Sequence, residues 1–227
     1  MATNYNFSIV RDGLVMYLDA ANSKSYPGSG TTWTDVSRNG NNGTLTNGPT
    51  FSSANGGSIL FDGTDDYVSC PIPSTSITNI TMTGFVNVVL NRKGAYFRNG
   101  GGGNGYAIGI GNTDFDGNGN NMVALFPGIR WLATTTAYTA GWQMVTFILN
   151  SSSVASGYIN TTPITFPAGN NPVAPTSNLY LGRNVGDEPL GARAANCNIA
   201  NFMFYNRVLS AAEVLQNYNA TKKRFGL

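Results

Sequence analysis

The chain has 227 residues, a net charge of +2 and charged side chains at only 11% of its positions, so Asn, Ser, Thr and Gly must carry its solubility. No block of Lys and Arg alternates with aromatic residues, which argues against a nucleic-acid partner. Histidine is absent, which removes the commonest general base and transition-metal ligand, and two distant cysteines, Cys70 and Cys197, cannot complete a zinc site.

The N-terminal residues show no charged segment followed by an apolar one, so the sequence predicts no signal peptide. No apolar run reaches membrane-spanning length, so we expect no membrane insertion. These features are typical of a protein folded in a reducing cytoplasm with both thiols free.

Short apolar runs recur along the chain between polar turns, and each has the length of one β-strand. They lie at 14–18, 58–61, 67–70, 82–90, 106–110, 122–126, 142–149, 154–159 and 179–181. Asn-Gly pairs separate many of them, and both residues tolerate the positive φ of a tight hairpin turn. Many short strands at even spacing predict a β-sandwich or a barrel.

The stretch 94–121 is unusually rich in glycine and predicts a flexible loop between two strands. A glycine loop that holds phosphate needs a helix directly after it, whereas the run at 106–110 has the pattern of a strand. Nucleotide binding is therefore not favoured.

The end of the chain predicts a strand at 199–205, a corner at 206–207 and one short helix. Ser210 followed by Glu213 has the spacing of a capping box, in which each side chain bonds the other residue's backbone amide. Val214, Leu215 and Tyr218 then fall on one helical face. For the basic tail at 221–227 we favour a solvated end over an anchor into a partner.

Several separated motifs occur in the order found in one family of β-sandwich domains. They are GLVMYLDA at 13–20, WTDVS at 33–37, LFDGTDDYV at 60–68, GWQMV at 141–145, LYLG at 179–182, IANFMFYNR at 199–207 and LSAAEV at 209–214. Together they resemble the laminin G-like, concanavalin A-like jelly-roll domains. One position departs from the family pattern, because Thr161 follows Tyr158-Ile159-Asn160 where the family has glycine.

This resemblance implies an all-β fold, a concanavalin A-like (laminin G-like) jelly-roll sandwich with a short C-terminal helix. We expect an N-terminal arm at 1–10, a single sandwich domain at 11–220 and a basic tail at 221–227. Trp142 and Val145 are expected on a strand that faces the core, and the FDG sequence at 61–63 is expected to form a polar corner between two strands.

Two segments, 13–51 and the ending QNYNATKKRFGL, resemble a smaller group of domains within this family. They are similar to versions of this domain in tailed bacteriophages, especially those that infect cyanobacteria. That resemblance implies a virion protein, either a capsid decoration, a fibre or a tail-associated adhesin, assembled in the host cytoplasm. Its partners would be other capsid or tail proteins, and host-surface glycans and self-association as a homo-oligomer stay open.

Catalysis is not expected. Glycoside hydrolases place two carboxylates on either side of the bond they cleave. The chain has only two glutamates, of which Glu213 is assigned to the helix cap and Glu188 to a loop. The two leading hypotheses are therefore a non-catalytic virion structural protein with glycan recognition, and a carbohydrate-binding, lectin-like module of a bacterial protein, with or without calcium.

Calcium has one candidate site. Asp114, Asp116 and Asn118 match the first ligand positions of an EF-hand loop, but Leu125 stands where the bidentate glutamate belongs. A polar hairpin between two strands is the favoured alternative. Asp19, Asp35 and Asp62 are weaker candidates, because fold relatives use acidic loop residues for calcium.

A glycan site needs an aromatic platform beside planar polar side chains. We predict such a site at Tyr96, Arg98, Asn99, Arg130 and Trp131, where Trp131 follows a Pro-Gly turn and stands either at a loop edge or in the core.

Overall fold

The computed structural model describes residues 8–100, 103–111, 119–125, 131–167, 173–183 and 194–227. The β-strands in chain order are β1 (Leu14–Asp19), β2 (Thr32–Trp33), β3 (Gly43–Thr46), β4 (Thr50–Ser52), β5 (Ser58–Asp62), β6 (Tyr67–Cys70), β7 (Ile80–Val88), β8 (Gly94–Asn99), β9 (Tyr106–Ile110), β10 (Asn121–Leu125), β11 (Trp131–Ala137), β12 (Gly141–Leu149), β13 (Ala155–Ile159), β14 (Thr162–Thr165), β15 (Leu179–Leu181), β16 (Asn196–Ile199) and β17 (Asn201–Tyr205). The helices are a 3-10 helix at Ala54–Gly56, α1 (Ala211–Thr221) and a second 3-10 helix at Lys222–Phe225. Within the described ranges, no helix is long and apolar enough to cross a membrane.

The strands form two antiparallel sheets packed face to face. Sheet A has the order β14-β13-β12-β7-β16-β5-β4, with β17 also paired to β7 and β1 paired to β17. Sheet B has the order β11-β10-β9-β8-β15-β6-β3-β2. The predicted all-β sandwich with one short C-terminal helix is confirmed.

The main core lies between the sheets. Val68 and Cys70 of β6 and Leu179 and Leu181 of β15 point into it, and the residues between them point out, as the two-residue period of a strand requires. Cys70 and Cys197 are both free and buried, and burial raises the pKa of each thiol well above its ordinary value. Both thiols are therefore protonated and unreactive at physiological pH.

The closing strand of sheet A is broken by a β-bulge. Ile199 pairs with Val86 and Met203 pairs with Thr83, so four steps along the closing strand match three steps along β7. At the bulge the Asn201 side chain is fully buried, and its Oδ1 accepts a hydrogen bond of 2.9 Å from the Phe85 backbone N–H. The bulge divides the predicted strand at 199–205 into β16 and β17.

The first part of the glycine-rich stretch is a strand, not a loop. All six residues of β8 are buried. Gly94 is needed there for close approach, because a Cβ atom at this position would lie 2.5 Å from the Ala195 Cα. The prediction of a flexible loop is therefore wrong for 94–99.

Trp142 does not face the core. Val145 is fully buried between the sheets, and Trp142 lies three residues earlier on the same strand, so its side chain points to the opposite face. Its indole packs against the Phe225 ring with centroids 4.4 Å apart. The prediction that both residues face the core holds for Val145 and is wrong for Trp142.

Helix α1 begins as predicted, and Val214 and Tyr218 of the predicted face pack inward, whereas Leu215 does not. The Ser210 side chain accepts from the Glu213 N–H and the Glu213 carboxylate accepts from the Ser210 N–H, which confirms the capping box. Leu215, predicted on the buried face, is 46% exposed. Asn217 is buried instead, and it accepts from the Val10 N–H at 2.8 Å and donates to the Tyr205 hydroxyl at 3.1 Å. The helix is therefore fastened to the N-terminal arm and to β17.

The basic tail is packed on the outer face of sheet A. Phe225 stacks on Phe85 with ring centroids 4.6 Å apart and packs at a tilt against Trp142 with centroids 4.4 Å apart. Arg224 forms an ion pair of 2.8 Å with Asp19 and also donates to two backbone carbonyls. A solvated tail, the favoured expectation, is wrong, because this segment and α1 cover part of the sheet.

Asn201 at the bulge should be a major source of stability. We expect Asn201→Ala to lower the free energy of unfolding by about 2 kcal/mol, because the Phe85 N–H would stay buried without an acceptor. Urea unfolding measures the loss. Asn206→Ala, at an exposed position just beyond β17, is the matched control and should change it by less than about 0.5 kcal/mol. Equal losses at the two positions would contradict this role.

Glu213 should make stability depend on pH in the acid range. Its hydrogen bonds to the Arg207 guanidinium lower its pKa to about 2. Because the unfolded value is about 4.3, the stabilisation is complete above that pH and is lost as the pH falls towards the folded pKa.

The test compares urea unfolding of the wild type and Glu213→Gln across this range. The variant should be less stable by about 1 kcal/mol at neutral pH and should match the wild type at the acid end. Asp12→Asn is the control, because Asp12 also pairs with Arg207 but is 86% exposed, and it should have a much smaller effect. A difference that is the same at every pH would contradict the ion pair.

Candidate functional site

Four strands of sheet B bring a row of polar and aromatic side chains to the outer face of that sheet. Arg98 on β8 lies opposite Tyr180 on β15, Tyr180 lies opposite Ser69 on β6, and Ser69 lies opposite Thr44 on β3. Residues that face each other across antiparallel strands share a face, with Cβ atoms about 5 Å apart. The row is therefore continuous across the sheet.

Two tyrosines form the centre of this surface. The rings of Tyr67 and Tyr180 meet edge to face with centroids 5.9 Å apart, and both side chains are half-buried. The Asn178 amide donates to the Ser69 hydroxyl at 2.9 Å beside them. Burial raises the pKa of Tyr180, so its hydroxyl is neutral at physiological pH and can both donate and accept.

Two arginines flank the tyrosines. Arg98 is 1% exposed, and its position is set by hydrogen bonds from Nε to the Gly100 carbonyl at 3.0 Å and from Nη2 to the Asn104 carbonyl at 3.3 Å. Arg183 follows β15, and its guanidinium carbon lies 5.4 Å from the centroid of the Tyr67 ring. We call Tyr67, Ser69, Arg98, Tyr180 and Arg183 the tyrosine face.

The other half of the same outer surface is apolar and buried. Ala95, Ala107, Val123, Leu125 and Trp131 form one cluster there. Trp131 is 7% exposed and lies on β11, four strands from β15, which is about 19 Å at ordinary strand spacing. Trp131 is therefore remote from Tyr180, although the two residues share a face.

The predicted glycan residues are thus only partly brought together. Tyr96 is 1% exposed in the core, edge-on to Tyr138 at 5.8 Å. Asn99 is also in the core, where its amide donates to the Tyr106 hydroxyl at 2.8 Å. Arg130 lies outside the described residues, and of the five predicted residues only Arg98 belongs to the tyrosine face. The glycan-binding role of the set stays a prediction.

Three residues of the tyrosine face that the sequence analysis did not select, Tyr67, Ser69 and Tyr180, lie in a strand pattern that could have identified them. Polar or aromatic residues alternate with core residues in Tyr67-Val68-Ser69-Cys70 and in Leu179-Tyr180-Leu181. This alternation predicts that Tyr67, Ser69 and Tyr180 point away from the core. That pattern identifies an outward face on both strands. It does not show that β6 and β15 are neighbours, which depends on long-range pairing.

A cavity lies at the corner between β5 and β6, away from the tyrosine face. It is a cavity of about 380 Å³ lined by Asn47, Gly48, Thr50, Leu60, Phe61, Asp62, Asp66, Asn196 and Asn198. The carboxylates of Asp62, Asp65 and Asp66 approach within 4.8 Å of one another at this corner.

The corner carboxylates serve the turn predicted for this sequence. Asp62 Oδ1 accepts from the Thr64 N–H at 2.7 Å, and Asp66 Oδ2 accepts from the Asp62 N–H at 3.0 Å. Burial, followed by the neighbouring carboxylates, raises the pKa of Asp66. A calcium ion takes six to eight oxygen ligands, and here two carboxylate oxygens are already bonded to turn amides. The corner therefore fits a structural turn better than a cation site.

The remaining calcium candidates give no assembled site within the part of the chain that the structure describes. Asp114, Asp116 and Asn118 lie outside the described residues. Asp19 pairs with Arg224, and Asp35 accepts from three backbone amides between 2.8 and 3.0 Å. Calcium binding stays a prediction.

The described carboxylates do not form a hydrolytic pair. Glu213 is held by Arg207 at 2.6 Å and by the helix cap, and Glu188 lies outside the described residues. No described strand carries two acidic residues. A glycosidase needs two carboxylates facing one sugar, and the carboxylates that approach one another at the β5–β6 corner include two that are bonded to turn amides.

The chain belongs to the concanavalin A-like lectin/glucanases superfamily, because the model of that family matches residues 62–215, more than half of its length. No curated protein sequence matches the chain.

Solved structures share the fold. Trypanosoma rangeli sialidase in complex with sialic acid matches with a TM-score of 0.68 and 16% identity, over 93% of this chain and 33% of that one. The binding domain of Paraclostridial Mosquitocidal Protein 1 matches with a TM-score of 0.68 and 16% identity, over 92% and 52%. Domain 4 of AbnA, an extracellular arabinanase from Geobacillus stearothermophilus, in complex with arabinotriose, matches with a TM-score of 0.67 and 16% identity, over 90% and 98%. At these identities the likeness shows the fold alone, and the chain spans about a third of the sialidase.

Proposed function

We propose that this protein is a non-catalytic glycan-binding domain and that the tyrosine face of sheet B is its binding site. The observation that carries the proposal is the edge-to-face pair of half-buried tyrosines, Tyr67 and Tyr180, between two arginines on one sheet face.

The chemistry of the tyrosine face suits a sugar. A tyrosine ring offers an apolar surface to the C–H face of a pyranose and a hydroxyl to its oxygens. Ser69 and Asn178 are already joined by a hydrogen bond at the edge of the rings, and each keeps further capacity for a sugar hydroxyl. A few placed polar groups around an aromatic surface are the usual composition of a small-ligand site.

The opposite outer face of the sandwich is less available. On sheet A, the described part of the chain places Phe225, Tyr218 and Val214 over Phe85 and Trp142. A sugar would have to displace this packing, whereas the cover that the described residues give the two tyrosines is the Arg183 guanidinium over Tyr67.

The relatives support the proposal only through their fold. Domain 4 of the arabinanase was solved with arabinotriose, so a domain of this shape and nearly this length can hold a sugar. A role without hydrolysis is supported by the engagement of the described Glu213 with Arg207 and of Asp62 and Asp66 with turn amides.

The sequence resemblance to bacteriophage virion proteins supports a narrower setting. On that proposal the domain is a capsid decoration, a fibre or a tail-associated adhesin, with other virion proteins as partners and host-surface glycans as ligands. A bacterial lectin-like module fits the fold equally well. Finding the chain in purified phage particles would support the virion setting, and its absence from them would favour the module.

Binding should depend on the tyrosines. A glycan array on the wild type identifies ligands, and calorimetric titration then compares variants. Tyr180→Ala and Tyr67→Ala should each weaken binding about tenfold or more, because each removes an aromatic contact at the centre of the site. Tyr158→Ala is the matched control, since Tyr158 packs at the outer face of sheet A, and it should bind like the wild type.

A third variant separates this site from the cavity at the β5–β6 corner. Asn198 lines that cavity, so Asn198→Ala should leave affinity unchanged. A loss in Asn198→Ala with full binding in Tyr180→Ala would move the site to the cavity. No binding to any glycan, with intact folding by circular dichroism, would overturn the proposal.

A further inference from the structure

Arg183 is a buried cation with an unmet hydrogen-bond donor. The residue is only 6% exposed, and its Nε has no hydrogen-bond partner among the described residues. The guanidinium lies over the Tyr67 ring at 5.4 Å, and a backbone bridge to Ala194 holds its main chain. Its place beside the tyrosines is therefore set by the fold.

No described carboxylate neutralises this cation. The eight strands of sheet B contain no Asp or Glu at all. The ion pairs formed between described residues belong to Arg207 and Arg224, on the sheet A side of the molecule. The tyrosine face therefore contains two arginines and no acidic residue, and the carboxylate of Asp66, directly before Tyr67, is bonded to the Asp62 N–H.

The energetics point to a ligand of opposite charge. A buried charge is costly unless it is paired and hydrogen-bonded. The Tyr67 ring offsets part of that cost through a cation–π contact, but a ring accepts no in-plane N–H bond. The planar guanidinium edge matches a carboxylate or a sulfate, which can accept two parallel N–H bonds.

Resting on the proposed function, we infer that the tyrosine face takes an acidic glycan, and that Arg183 binds the carboxylate or sulfate of a sugar in contact with Tyr67 and Tyr180. A carboxylate and a sulfate ester offer the same oxyanion chemistry to this arginine. Selectivity for acidic over neutral sugars then resides in Arg183, while the tyrosines supply the contact common to both.

The first experiment needs no variant. Titration of the wild type with oligogalacturonate and with its methyl ester compares the same sugar chain with and without its carboxylate charges. Titration with dextran sulfate and with dextran makes the same comparison for sulfate. We expect at least one charged member to bind about tenfold more tightly than its neutral match. A preference for oligogalacturonate assigns a carboxylate, and a preference for dextran sulfate assigns a sulfate. Equal affinity within both pairs would overturn the inference.

The second experiment assigns the preference to Arg183. In Arg183→Gln the charged and neutral members of the preferred pair should bind alike. Arg183→Lys keeps the charge but loses the planar edge, so it should retain only part of the preference. Arg92→Gln removes an exposed arginine and should keep the full preference. An unchanged preference in Arg183→Gln would overturn the inference.

Folding and function are checked separately. Thermal melting by circular dichroism shows whether each variant is folded, and the comparison of acid with ester in the wild type stands even if Arg183→Gln does not fold. Equal binding of acidic and neutral glycans, lost in Tyr180→Ala, would sink this inference and leave the proposed function intact. Absence of binding to all four probes and to the glycan array would remove both.

Discussion

One close approach organises the sandwich: the β-bulge at Ala200 and Asn201 lies directly over Gly84 on β7. A Cβ atom at position 84 would stand 2.2 Å from the Asn201 carbonyl oxygen, so only glycine permits the contact. The extra residue also changes which side chains face inward. Cys197 and Ile199 point into the core before it, and Phe202 and Phe204 point into the core after it. One strand can therefore border β5 with its first half and β1 with its second.

The same bulge links the fold to the location of the site. Because β17 is shifted by one residue, Met203 and Tyr205 point outward, where Val214 of α1 packs against them. Asn217 binds the Tyr205 hydroxyl, and the segment beyond the helix continues across the sheet to Trp142. The outer surface of sheet A is thus partly used for stability. The tyrosine face of sheet B carries no comparable cover by a helix or a terminal segment among the described residues, which is why the proposed binding site lies there.

The parts of the fold that could be predicted are those decided by neighbouring residues. The capping box at Ser210 and Glu213 and the turn at Asp62 need only local hydrogen bonds, and both are present. Long-range contacts decide the rest. The Asn42-Gly43 pair is typical of a hairpin turn, yet Gly43 lies within β3. Glycine is needed there because a Cβ atom would lie 2.6 Å from the Val68 side chain. The grouping of side chains into a site depends on such contacts too: Trp131 and Tyr180 share a face, but only strand order shows that they are far apart.

The sparse charge of this protein bears on how it would recognise an acidic sugar. With a net charge of +2 and few charged residues, it has no strong long-range field to gather polyanions from solution. Discrimination must then arise at contact. A guanidinium already held over the Tyr67 ring loses little conformational freedom when an oxyanion arrives. It meets that ligand in a partly desolvated place, where a charged hydrogen bond is stronger. Affinity of this kind falls less steeply with salt than binding to a patch of exposed lysines, because few counterions are displaced and a buried contact is weakly screened.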